Sequence, residues 1–171
     1  KQLVDTRTIQ GAAAIERIGF EAAYQHGPFR TQAEYIVTNV DRFRGPSVSF
    51  QGGYIEAGWV LNGRGRPYRL APEKGSQYTG FSGGAIEDSQ RVGQGGAGVF
   101  ELGARFSAID LADRTIRGGI QTDVTIGLNW YPDKNVRIMA DYVRAHAQPS
   151  AQASARTIDA DIFVGRVQLY W

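Results

Sequence analysis

The chain contains no cysteine, which removes a disulfide framework and a thiolate metal site together. No run approaches the roughly 18 apolar residues of a membrane-spanning helix, so a helical membrane protein is excluded. Histidine is reduced to His26 and His146, neither with a His or Cys at ligand spacing, and no metal site is expected. Lysine is nearly absent: apart from Lys1, Lys74 and Lys134, every basic residue is arginine, which suits fixed, bidentate anion contacts. The net charge of +2 lacks the basic excess of a nucleic-acid-binding surface, so no nucleic-acid partner is expected. The start shows no basic segment followed by an apolar one, and Lys1–Asp5 reads as mid-protein sequence; a mature or partial chain is expected.

What is present is alternation. The 171 residues are 42% hydrophobic, with 22 glycines. Period-2 segments recur along the chain. In Arg117–Pro132, Ile120, Thr122, Val124, Ile126, Leu128 and Trp130 share one face; Gln121, Asp123, Thr125, Gly127, Asn129 and Tyr131 share the other. The same division runs through Ile15–Gly27, Phe29–Arg42, Ser47–Asn62, Val99–Asp110, Asn135–Ala145 and Asp159–Trp171, the last having the least clean polar face. Gly27-Pro28 and Pro132–Asn135 read as tight turns, whereas about 64–98 and Gln148–Arg156 read as long loops. The expected fold is all-β: an antiparallel meander of about 7–8 strands, residues 1–171 forming part of one domain. Short turns at one end and long loops at the other are expected of a transmembrane barrel.

Two environments suit such strands. In a soluble sandwich the apolar faces of two sheets meet; in an outer-membrane barrel they meet lipid while the polar faces line a lumen. Large charged side chains interleaved with Gly and Ser favour a wet interior. Tyr24, Tyr35, Trp59, Trp130, Tyr131, Tyr142, Tyr170 and Trp171 lie near strand ends, where an interfacial girdle is needed. The chain also stops inside its last alternating segment, on Trp171.

Specific strings resemble a family. GGAGVFELGARFSAIDL (Gly95–Leu111), GGIQTDVTIGLNWYPDKNVRIMADYVRA (Gly118–Ala145) and DADIFVGRVQLYW (Asp159–Trp171) together resemble the C-terminal part of the phosphate-selective porin O and P family. YIEAGWVLNGRGRPYR (Tyr54–Arg69) and GFEAAYQHGPFRTQAEY (Gly19–Tyr35) are similar to its strands, and GLNWYP followed by N-x-R-x-M-x-D-Y is the most specific piece. The resemblance implies a sixteen-strand barrel in the Gram-negative outer membrane, assembled as a homotrimer among lipid and lipopolysaccharide, and serving ion transport of small anions such as phosphate. This chain supplies about half the strands, so it reads as the C-terminal portion of a porin; a complete eight-strand barrel filled by side chains is the competing explanation. The family's constriction loop and central lysine cluster are expected outside this chain or unmatched in it.

Arg30, Arg105, Arg137 and Arg166, with Arg17 and Arg117, are the pore-lining candidates, since a lumen arginine offers a planar donor to phosphate or carboxylate. The alternative is that they pair with Glu21, Glu34, Glu56, Glu101, Asp123 and Asp141 and merely stiffen the wall. Arg64, Arg66 and Arg69 form the candidate entrance loop, an anion funnel or a contact for lipopolysaccharide phosphates. Asp110, Asp113, Asp159 and Asp161 are oxygen donors near strand ends and read as turn formers rather than a calcium site. Ser82-Gly83-Gly84 is no nucleophile elbow, and GQGGAG (Gly93–Gly98) precedes a strand instead of a helix. No catalytic residue, no enzyme activity and no cofactor are therefore expected. The rivals to a porin are a barrel kept for envelope structure or partner docking without a significant pore, a soluble β-sandwich binding module, and an outer-membrane enzyme.

Overall fold

In the computed structural model, residues 3–66, 68–69, 80–81, 86–149 and 156–169 are described. Each long alternating segment forms a strand. Seven of them build one antiparallel sheet: β1 (Ala12–His26), β2 (Phe29–Arg42), β3 (Val48–Val60), β6 (Val99–Asp113), β7 (Ile116–Asp133), β8 (Val136–Gln148) and β9 (Ile158–Leu169). Two short strands, β4 (Tyr68–Arg69) and β5 (Gly80–Phe81), pair separately within the connection between β3 and β6. The strands follow one another in space as they do in sequence, a plain meander. Among the described residues β1 and β9 are edges, each paired on one side.

The two faces contrast in the sense opposite to a soluble domain. Val124, Ile126 and Leu128 are 48%, 56% and 41% exposed, and no second layer covers them among the described residues. Register extends this apolar face across the sheet: Leu128 lies opposite Leu102 and Ala140, Ile126 opposite Ala104 and Tyr142, and Trp59 opposite Phe29 and Leu102. A sandwich would bury these side chains; here they form a continuous exposed band, as a barrel wall facing hydrocarbon requires. Phe29, Trp59 and the stacked pair Phe100 and Trp130 (ring centroids 6.0 Å apart) crowd one rim of that band. From the middle of β8 towards the other rim, Tyr142 donates to Asp161 at 2.6 Å, Arg144 pairs with Asp161 at 3.1 Å, and His146 meets Asp159 at 2.9 Å.

The buried residues lie on the charged face. Val40, Val48 and Phe50 pack with Ile9, Leu111 and Ile116 towards one end; Val60, Val99 and Tyr131 pack with Ile86 towards the other. Ile162 and Val164 of edge strand β9 also lie on this face, 43% and 44% exposed.

Two expectations change. The connections do not sort by length. The meander puts the tight Gly27–Pro28 and Lys134–Asn135 turns at the same end as the long 61–98 connection, and the 149–157 connection at the opposite end with the tight Arg114–Thr115 turn. The girdle also loses members: Tyr131 is 3% exposed and sits on the polar face, Tyr35 and Tyr142 stand at the middle of β2 and β8 and not at their ends, and Tyr170 and Trp171 lie outside the described residues.

Candidate functional site

The centre of the polar face is built on glycine. Gly58, Gly103 and Gly127 stand opposite one another across β3, β6 and β7, with Arg30 opposite Gly58 and Asp141 opposite Gly127. A Cβ at Gly58 would lie 2.8 Å from Arg30 Nε and 3.0 Å from Glu101 Oε1, and one at Gly127 would lie 2.1 Å from Asp141 Oδ1. The missing side chains thus let three charged ones lie flat against the wall. The result is a recess of about 170 Å³ lined in part by Arg30, Glu56, Arg105, Asn129, Arg137 and Asp141. A larger apolar groove, about 690 Å³, runs past Phe20, Tyr35, Ile55 and Phe106, residues of the exposed apolar band, and holds none of these arginines.

Arg30 bridges two strands, donating from Nη1 to Glu56 Oε1 at 2.9 Å and from Nε to Glu101 Oε1 at 3.1 Å. Arg105 pairs with the other Glu56 oxygen at 3.2 Å and lies over the Tyr54 ring at 3.7 Å. Glu101 is fully buried; Tyr131 donates its hydroxyl to Glu101 Oε2 at 2.7 Å, and Arg66 Nη1 approaches the same oxygen at 3.7 Å. Arg137 donates to Asn129 Oδ1 at 3.0 Å and lies 5.5 Å from the Tyr131 ring centroid, while its Nε is buried with no hydrogen-bond partner among the described residues.

The other candidates separate. Arg17, opposite Thr38, and Arg166, opposite Met139, are on the polar face and form no ion pair with described residues. Arg117 is not on that face. A register shift sets it opposite Ala112, next to Ile116, which packs inward; the bulge turns Arg117 to the apolar side, beside the Arg114–Thr115 turn. In the connection, Arg64 pairs with Glu87 at 2.9 Å and is exposed. Arg66 instead points onto the wall, and the Arg69 side chain and Lys74 lie outside the described residues, as do Ser82, Gly83 and Gly84. Described parts of the connection lie against the polar face: Arg30 lies 5.2 Å from the Phe81 ring centroid, and Ile86 joins the inner cluster. Its far limb is tied by Arg91, which hydrogen-bonds Asp133 at 2.7 Å; that bond raises the Arg91 pKa above its ordinary value. Trp130 Nε1 donates to Ala97 O at 2.9 Å.

Alternation places Tyr131 and Gly127 on the polar face, and Arg66 is an entrance-loop candidate, but the contact of Tyr131 and Arg66 with Glu101 and the role of the glycine row are not visible in the sequence. The usable signal is the spacing Glu56-x-Gly58, Glu101-x-Gly103-x-Arg105 and Gly127-x-Asn129, a glycine two residues from a polar group on three successive sheet neighbours. Of the four aspartates noted at strand ends only Asp110 acts as a turn former, accepting from Ala112 N; Asp113 accepts from Ser49 N across the sheet, and Asp159 and Asp161 bind His146 and Arg144 of the neighbouring strand.

A seven-strand wall that exposes its greasy face and lines the other with arginine–carboxylate pairs is matched by a family model over residues 1–171, that of phosphate-selective porin O and P. The chain belongs to this porin family. Its members are outer-membrane proteins of Gram-negative bacteria, which places the exposed apolar band in hydrocarbon. Among curated relatives, an uncharacterized protein of Caulobacter vibrioides is 32% identical over 124 residues, 72% of this chain and 23% of that protein. Porin O of Pseudomonas aeruginosa is 27% identical over 161 residues, 88% of this chain and 34% of that protein. This porin chain spans about a quarter to a third of the length of those two relatives.

Proposed function

We propose that the complete protein containing this chain is a water-filled channel for passive diffusion of small anions such as phosphate, or of mixed small solutes, and not an enzyme. The observation that carries this reading is the inversion of the sheet: Leu128 and its neighbours are exposed, while Arg30, Arg105, Arg137 and their carboxylates line the other face. A closed ladder satisfies the backbone in oil, and the polar face then surrounds water. In such a lumen selectivity depends on radius and on which charges meet the narrowest point. Arg137 and Arg166 supply donors that no described carboxylate neutralises, whereas Arg30 and Arg105 are held by Glu56 and Glu101. The paired arginines support a modest anion preference, which keeps mixed small solutes within the reading. The family resemblance supports a homotrimer surrounded by lipid and lipopolysaccharide.

Planar-bilayer recording of the complete protein tests this. Discrete conductance steps with a reversal potential displaced towards anions across a KCl gradient are expected. A protein that inserts and passes no current would instead favour a barrel kept for envelope structure or partner docking.

A further inference from the structure

Residues 61–66 leave β3 and turn back over the polar face, and two independent features hold them there. The first is Glu101. Its carboxylate is fully buried between Arg30 Nε at 3.1 Å, the Tyr131 hydroxyl at 2.7 Å and Arg66 Nη1 at 3.7 Å, and the Arg66 side chain is itself only 11% exposed. The second is Gly65. A Cβ there would lie 2.1 Å from Gly27 O and 2.6 Å from Gln25 Nε2, so the limb sits directly on the β1–β2 turn. Asn62 braces the base, donating to Gly98 O at 2.9 Å and accepting from Phe100 N at 2.8 Å.

We infer that Glu101 is a positioning residue that pins the 61–66 limb to the inner wall and fixes Arg66 and Arg30 in the channel, so that this buried acid sustains anion preference instead of opposing it. The inference rests on the channel reading above. A buried carboxylate fixes the two donors it hydrogen-bonds, Arg30 and Tyr131, and its charge holds the Arg66 guanidinium 3.7 Å away against the same oxygen that Tyr131 binds. Without the anchor the limb moves off the wall. The cross-section then widens and Arg66 leaves the current path. Local electrostatics alone gives the opposite sign: deleting a negative charge from the wall raises anion preference and leaves the cross-section unchanged.

Single-channel recording of the complete protein separates the two, using wild type, Glu101→Gln and Gly65→Ala. Gly65→Ala changes no charge and disturbs only the seat of the limb. Both variants are expected to conduct more than wild type and to show a reversal potential shifted towards the non-selective value. Wild-type conductance in Gly65→Ala, or raised anion preference at wild-type conductance in Glu101→Gln, overturns the inference. If either variant fails to insert, Arg66→Gln takes its place and is read by the same two quantities. A silent wild-type protein overturns the channel reading itself, whereas conducting channels with unchanged variants overturn the anchor alone.

Discussion

Glu101 and Arg137 are two ways of placing an ionic side chain on the polar face. Glu101 is wholly enclosed, and burying a carboxylate is costly unless it is hydrogen-bonded and paired; Arg30 and Tyr131 hydrogen-bond it, and Arg66 is its ion-pair neighbour at 3.7 Å. Tyr131→Phe keeps the ring that packs against Val60 and Val99 and deletes one donor. The expected cost is about 1.5–3 kcal/mol for a hydrogen bond to a buried charge, read as a lowered urea midpoint of the refolded protein in detergent. Arg137 has one side-chain hydrogen bond, to Asn129, and its Nε is unspent among the described residues. Arg137→Ala is therefore expected to change conductance or ion preference while the folded yield stays at the wild-type level. A large loss of folded protein would show that Arg137 is structural.

At the scale of the strand, β7 is the clearest case of a ribbon with two environments. Ile120, Val124, Ile126, Leu128 and Trp130 were legible as one face because period 2 is fixed by backbone geometry. Their exposure follows from the absence of any covering layer among the described residues. Leu128→Arg places a charge in mid-band and is expected to cost roughly 2–4 kcal/mol, measured by reversible unfolding in lipid vesicles. A silent substitution would mean that this face does not meet hydrocarbon. Arg117 shows where the same counting fails. Period 2 is interrupted at the register shift between Asp110 and Ala112, and one extra residue sends every side chain beyond it to the other face. Tyr131 fails differently: its parity predicts the polar side, as found, whereas its place near a strand end predicts a girdle member, and the ring is instead buried on the polar face.

Across the whole molecule the decisive feature is the open sheet. Among the described residues β1 and β9 each have one neighbouring strand, which leaves the outer backbone groups of both without a strand partner. Unpaired backbone in hydrocarbon costs several kcal/mol per group, and exposed edges recruit other strands. Residues 1–171 alone are therefore expected to associate on refolding and to give no uniform channel, by size-exclusion chromatography in detergent and by bilayer recording. A monodisperse monomer with a single conductance level would overturn the open topology. The 61–66 limb also acquires its role at this scale, because its position over the polar face, and not the length of the connection, brings Arg66 to Glu101.

By itself the sequence determined the strands, their apolar and polar sides and their order as a meander. Each of these is local: side-chain alternation sets the faces, and Gly27-Pro28 and Lys134-Asn135 set the reversals. Tertiary structure alone decided which arginines are paired, that Arg117 faces away from its fellows, and that a limb of the longest connection is seated on the wall. Those outcomes depend on register between strands distant in the chain, such as Gly58 against Gly103 and Gly103 against Gly127, and on side-chain contacts as remote as Arg30 with Glu101. A two-residue period carries no information about which residue of the neighbouring strand it will meet.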